Sequence, residues 1–212
     1  IVTMLATAGS GYLYGFGINE QLRNIVVTGI GSGIVAFCMI YSNIYHFYSF
    51  DNESHLSRFI LVYLLCLVIS YVFPVLPQDG WFYPVLALGL ALFSNSFIGI
   101  AALNLCLIIS CMYTDTFGST YFIYAMSSLV TILIFKNINE KFKIGIPIFI
   151  SLAVLLMTTM AQSILFLNVK MSIEILVIPF VNLFVTGILF LIVLRGFSAM
   201  VVHRYRGKYM EL

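Results

Sequence analysis

Four cysteines, Cys38, Cys66, Cys106 and Cys111, and three histidines, His46, His55 and His203, are the side chains with the widest chemical repertoire in this 212-residue chain. Their spacing gives them little to do. The cysteines all fall within apolar stretches and form no CxxC pair, so they read as small buried thiols rather than a metal or disulfide framework. The histidines are scattered, and His46 lies beside Tyr41, Tyr45 and Tyr48, a grouping that suits a membrane interface. No HD dipeptide, HExxH, P-loop or GxSxG pattern occurs, and no paired carboxylates share a helix face. No catalytic residue, metal or cofactor is therefore expected within the chain.

Uncharged polar groups inside the apolar stretches are the remaining candidates. Asn95, Asn104, Gln162 and Asn182 could line a site for a neutral solute, and Ser110, Ser127, Ser128, Thr158 and Thr159 accompany them. The same groups also serve as bonds between helices, each worth roughly 1 kcal/mol or less in lipid. Ion-driven carriers and proton relays generally place Asp, Glu, Lys, Arg or His inside the membrane, and the interiors of these stretches lack them.

Composition dictates the elements that position these residues. The chain is 62% apolar and 8% charged, with a mean hydropathy of +1.08. Soluble domains carry roughly 25% charged residues. The ten basic and eight acidic residues avoid the middles of the apolar runs, and Arg195 alone comes within about a turn of one. Runs of about 20 apolar residues can cross a hydrocarbon core of roughly 30 Å as helices. They are too continuous for the in-out alternation of a barrel. The expected fold is an all-α, polytopic transmembrane helix bundle.

Seven spans are expected, over residues 25–48, 59–76, 81–93, 97–113, 119–135, 144–167 and 175–197. Turn chemistry separates them, as in Pro77-Gln78-Asp79-Gly80 and Thr114-Asp115-Thr116-Phe117-Gly118. The stretch 81–113 is broken only by Ser94-Asn95-Ser96. As one helix it would be about 50 Å long, so a hairpin of two short spans is expected. A single kinked span there would reduce the count to six.

Lys and Arg concentrate on the cytoplasmic side of membrane proteins. With the C-terminus inside, Arg58, Lys136, Lys141, Lys143, Arg195, Arg204, Arg206 and Lys208 are cytoplasmic and only Arg23 and Lys170 are outside. With six spans Arg23 and Arg58 exchange sides and the balance is unchanged. A bacterial cytoplasmic membrane with a cytoplasmic C-terminus is the expected location.

Residues 1–24 read as the end of an extracytoplasmic segment preceding the bundle, with an additional span as the alternative, because Gly9, Gly11, Gly15 and Gly17 weaken a helix. A signal peptide is not expected, since no basic n-region is present. The bundle proper is assigned to 25–198. Residues 199–212 read as a basic juxtamembrane linker in which Arg204, Arg206 and Lys208 contact anionic lipid headgroups. Gly29 and Gly33 give the first span a small-xxx-small face for close helix packing, internal or between two copies. Pro84, after Trp81-Phe82-Tyr83, suits a helix start at an aromatic belt.

The run Tyr83-Pro84-Val85-Leu86-Ala87-Leu88, the basic loop 136–143 and the terminal His203-Arg204-Tyr205-Arg206-Gly207-Lys208-Tyr209-Met210-Glu211 carry a resemblance. Together they are similar to the membrane domain of the seven-transmembrane HD-hydrolase family, whose better-known members are cyclic-di-AMP phosphodiesterases. The resemblance covers about residues 20–212. It implies a membrane anchor and sensor that relays a signal to a cytoplasmic HD domain in cis, and a parent protein with phosphodiesterase activity. None of the HD domain's metal ligands can be placed in this chain. The bilayer, that catalytic domain and a second copy are the expected partners; nucleic acid is not. The rival readings are a small-solute carrier, such as the substrate-binding membrane subunit of a vitamin importer, and a scaffold for cell-envelope assembly.

Overall fold

The computed structural model describes residues 2–45, 53–136, 145–165 and 173–210, with side chains described for 2–45, 56–135, 145–161 and 177–199. Among them every regular element is helical. In chain order these are α1 (Val2–Leu13), α2 (Ile18–Ile44), α3 (Glu53–Val72), α4 (Tyr83–Phe93), α5 (Ser96–Cys111), α6 (Phe117–Lys136), α7 (Gly145–Leu165) and α8 (Ile173–Met210). Short 3-10 turns at Phe73–Val75 and Gln78–Gly80 interrupt the link from α3 to α4.

Among the described residues, four helical stretches are long and apolar enough to cross a membrane: Ile18–Ile44, Leu56–Val75, Phe117–Phe135 and Val177–Ala199. Their outward faces are hydrocarbon. On α2 the exposed residues Val26, Ile30, Ile34, Phe37, Ile40 and Ile44 recur at helical spacing and form one apolar stripe. Polar side chains point the other way, with Thr28, Ser42, Ser70, Ser110, Thr131 and Thr186 all buried. An apolar outside and a hydroxyl-lined inside fit a helical membrane protein.

The stretch 81–113 forms two helices. α4 has 11 residues and α5 has 16, about 16 and 24 Å at 1.5 Å per residue. Neither has the length of a full crossing, yet this hairpin is the core. Eight residues of α4 and ten of α5 are buried, and α2, α3, α6 and α8 pack around the pair. Pro84 occupies the first turn of α4, where its missing N–H costs nothing. Ser94 and Asn95 leave helical geometry, and Asn95 Oδ1 caps α5 by accepting from the Ile98 N–H at 2.8 Å. The two helices touch closely at Gly99, where a Cβ would stand 3.0 Å from Ala91 Cα.

Hydrogen bonds and ring contacts fix the register. Residues 81 and 93 of the α4 segment lie against residues 182 and 197 of α8, so these helices run parallel. Ser42 meets Asn95 while Gly31 faces Leu105, so α2 and α5 run antiparallel. One end of the bundle therefore gathers the α1–α2 turn, the link from α3 to α4 and the start of α6. It is called the loop end below.

Two features at that end depart from the expected boundaries. α2 begins at Ile18 rather than at 25, with Glu20 and Arg23 exposed on its first turns and Asn24 buried. The glycine-rich segment before it forms α1, which turns back at Gly15 (φ +72°) and packs along α2. His46 and Tyr48 lie outside the described residues, as do Lys141, Lys143 and Lys170; so do the side chains of His55, Lys136, Gln162, His203, Arg204, Arg206 and Lys208.

Candidate functional site

The link from α3 to α4 has the turn chemistry of an exposed loop, but it descends into the bundle. Trp81 is wholly buried, with its ring stacked 5.5 Å from both Phe73 and Tyr124. Two helices hold the loop. Asn182 of α8 donates from Nδ2 to the carbonyls of Asp79 at 2.9 Å and Trp81 at 3.1 Å. Its Oδ1 accepts from Thr186 Oγ1 at 3.1 Å, which fixes the amide orientation. From α6, Tyr124 donates to the Gln78 carbonyl at 2.5 Å, and Thr120 donates to Gln78 Oε1 at 3.3 Å. Thr116, just before α6, donates to that same oxygen at 2.7 Å. The carbonyls of Gln78, Asp79 and Trp81 are thereby satisfied, although Pro77 stays exposed and Gln78 to Gly80 are only partly buried.

Asp79 sits in this clasp as a half-buried carboxylate. Burial raises it above its ordinary value of 3.8. Its neighbours are amides, hydroxyls and rings, a set with no nucleophile and no second carboxylate to make an acid-base pair. Among the described residues, no group of three His, Cys, Asp or Glu could hold a metal ion. What the arrangement provides is mechanical: it fastens the loop to α8 and α6 together.

A second polar cluster lies beside the first. Tyr83, wholly buried, donates to the Cys106 carbonyl at 3.0 Å and makes a short contact with Ser110 Oγ. Ser110 in turn donates to the Ser70 carbonyl at 2.6 Å, so α3, α4 and α5 are bonded at one level. α1 is stitched on by hydroxyls. Thr3 pairs with Ser32 at 2.7 Å, Thr7 with Tyr71 at 2.8 Å, and Ser10 with Tyr113 at 2.5 Å.

The polar residues singled out from sequence do not converge on one pocket. Asn95 caps α5 and donates to Ser42 Oγ at 2.8 Å. Asn104, nine residues further along the same helix, donates to the Ile100 carbonyl at 2.8 Å and accepts from Tyr121 at 2.6 Å. Asn182 holds the loop, and the Gln162 side chain is outside the described residues. Each of the three described amides is engaged by different neighbours. Of the glycines, Gly29 faces Met4 of α1 at 3.2 Å, an internal contact, and Gly33 has nothing within 4 Å. The closest approach is at Gly31, where a Cβ would stand 2.5 Å from Leu105 Cδ1. The four cysteines are free and buried.

Sequence reasoning missed Tyr71, Tyr83, Gln78 and the α1 hydroxyls. Thr3, Thr7 and Ser10 are spaced as one helix face, and Thr28 and Ser32 as another. That pairing of polar stripes was the available signal. Comparison with protein-family models, with curated proteins and with solved structures finds no match to this chain.

Proposed function

We propose that the chain is the membrane anchor and signal-relay domain of a cyclic-dinucleotide phosphodiesterase of the HD type, with α8 as the output helix. The observation that carries this reading is the continuity of α8. It runs as one helix of 38 residues from Ile173 to Met210, about 57 Å, which far exceeds the roughly 30 Å of a hydrocarbon core. At one end Asn182 grips the deep loop; at the other the same helix extends past its apolar stretch Val177–Ala199 into the segment bearing Arg204, Arg206 and Lys208. A shift of the loop is then a shift of a rod that leaves the membrane.

In this reading the bundle crosses seven times. The short helices α4 and α5 make two of the crossings. The C-terminus is cytoplasmic, as the eight-to-two division of Lys and Arg favours. The three basic residues past the apolar stretch rest among anionic headgroups, each worth about 1 kcal/mol near such a surface. Signalling requires that a ligand or a loop displacement favour one of two packings of α8 against α4. Engagement of Asn95, Asn104 and Asn182 in three separate contacts supports this reading over a carrier, which would gather such groups around one solute.

The test starts with the coding sequence beyond the Leu212 codon. An in-frame HD pair with its metal ligands is the expected result, and a stop codon directly after Leu212 removes the proposal. Given the HD pair, hydrolysis of cyclic di-AMP by the whole protein in membranes is compared with that of its Asn182→Leu variant. A changed rate is expected. An unchanged rate leaves the anchor and removes the relay.

A further inference from the structure

α3 and α8 both pack on α4 but scarcely touch one another. The gap between them is a slot of about 270 Å³. We infer that this slot is a binding site for one acyl chain of a membrane phospholipid. The inference stands apart from the relay reading, because it concerns what fills the gap and not what the bundle transmits.

Chemistry narrows the occupant first. The exposed wall offers no polar atom, being built from aliphatic and aromatic side chains, the Cys66 side chain and glycine. A buried water needs two to four polar partners, and an apolar cavity of about 150 Å³ stays dry yet binds benzene. The slot is nearly twice that size, and with no polar atom on its exposed wall it offers nothing to hold water, an ion or a polar solute. A hydrocarbon is what remains.

Shape narrows it further. The floor is the α4 face Phe82, Val85, Leu86, Gly89 and Phe93, which recurs at helical spacing and extends about 16 Å along the axis. Ring pairs mark the two ends of this floor. Phe93 meets Phe197 edge-on at 5.6 Å, and Phe82 meets Phe73 edge-on at 4.8 Å. An apolar trough along α4 suits a linear chain lying along the helices.

Two glycines keep it open. A Cβ on Gly89 would find only Val62 Cγ1, at 3.8 Å, and one on Gly196 would find nothing within 4 Å. Leu65 of the lining is exposed, so the slot opens onto the apolar outer surface of α3. A phospholipid can lay one tail into it while its headgroup stays outside.

The whole protein is reconstituted in vesicles of phosphatidylcholine and phosphatidylglycerol, extracted in mild detergent and weighed by native mass spectrometry. Gly89→Leu and Gly196→Leu, which fill the slot from its α4 floor and its α8 wall, are treated in parallel. In a second arm the vesicles carry dibrominated acyl chains, and fluorescence is read from Trp81, the single tryptophan. The expected result is one tightly held phospholipid per chain in the parent protein that both variants lose, together with at least a twofold fall in bromine quenching. Equal lipid retention and equal quenching in all three proteins overturn the inference. So does a parent dimer that the variants convert to monomer with no change in bound lipid, because the slot then belongs to a second copy. Thermal unfolding of each variant in the same detergent shows that it is folded, and where one is not, the other carries the comparison.

Discussion

Asn182 reaches across about a hundred residues of sequence to hold the carbonyls of Asp79 and Trp81, at 2.9 and 3.1 Å. Its amide is buried, and its acceptor oxygen is occupied by Thr186. Replacement by Ala strands the buried Trp81 carbonyl, the partly buried Asp79 carbonyl and the Thr186 hydroxyl, which costs about 1–3 kcal/mol. The expected outcome is a lower thermal midpoint in detergent and faster thiol labelling of a Gly80→Cys reporter. A lower midpoint with unchanged labelling would mean that the side chains of α6 hold the loop without α8.

The α4–α5 turn depends on the absence of a side chain at Gly99, where a Cβ would lie 3.0 Å from Ala91 Cα and 3.1 Å from its nitrogen. Backbone cannot yield as a flexible side chain can, so Gly99→Leu is expected to destabilise by about 1–3 kcal/mol. Asn95→Ala removes the cap of α5 and costs about 1 kcal/mol. Gly33→Ala, at a site with nothing within 4 Å, is the control and is neutral or stabilising. Unfolding titrations of the three variants check the order, and equal losses at 99 and 33 would show that the hairpin is looser than its contacts.

These two sites show what the sequence could and could not carry. Long apolar runs announce helices because lipid leaves a backbone few alternatives, and the break at Ser94-Asn95 carried enough polarity to place the hairpin turn. The depth of the loop 77–81 was not legible. Pro-Gln-Asp-Gly reads as a turn and is one, but its attachment to the bundle is made by Asn182, Tyr124 and Thr116, which no local pattern connects to it. α1 was obscured for a related reason. Its glycines lower intrinsic helix propensity, while the hydroxyl pairs that hold it lie on other helices. Likewise an isolated asparagine looks the same in sequence whether it caps a helix, as Asn95 does, or clasps a loop, as Asn182 does.

Asp79 gives the loop a pH dependence. Burial raises its carboxyl above 3.8, so the folded state favours the protonated form. That contribution is fully present below the ordinary carboxylate range and is lost as pH rises through the raised value. At neutral pH the ionised group therefore works against the fold. Asp79→Asn, uncharged throughout, is expected to raise the thermal midpoint at pH 7 and to change it less at pH 4. The same difference at both values would assign the effect to the amide's own contacts.

α1 supplies the last prediction, because its attachment rests on few groups. Thr7 Oγ1 lies 2.8 Å from Tyr71 Oη and 3.2 Å from Thr28 Oγ1, and Tyr71 also donates to the Thr3 carbonyl at 3.1 Å. One tyrosine of α3 thus holds two turns of α1, and Thr7 itself is buried. Thr7→Val keeps the shape and removes the hydroxyl; Tyr71→Phe removes the partner. In a double-mutant cycle the two are expected to couple by about 0.6–1.7 kcal/mol, the range found for interhelical hydrogen bonds in membranes. Coupling below about 0.3 kcal/mol would be additivity, and would mean that α1 is held by its contacts with α2 and not by the bond to α3. Cysteine labelling at Gly11, which is buried against Gln21, provides the second readout: it stays slow while α1 is docked and quickens in the double variant as the helix lifts away.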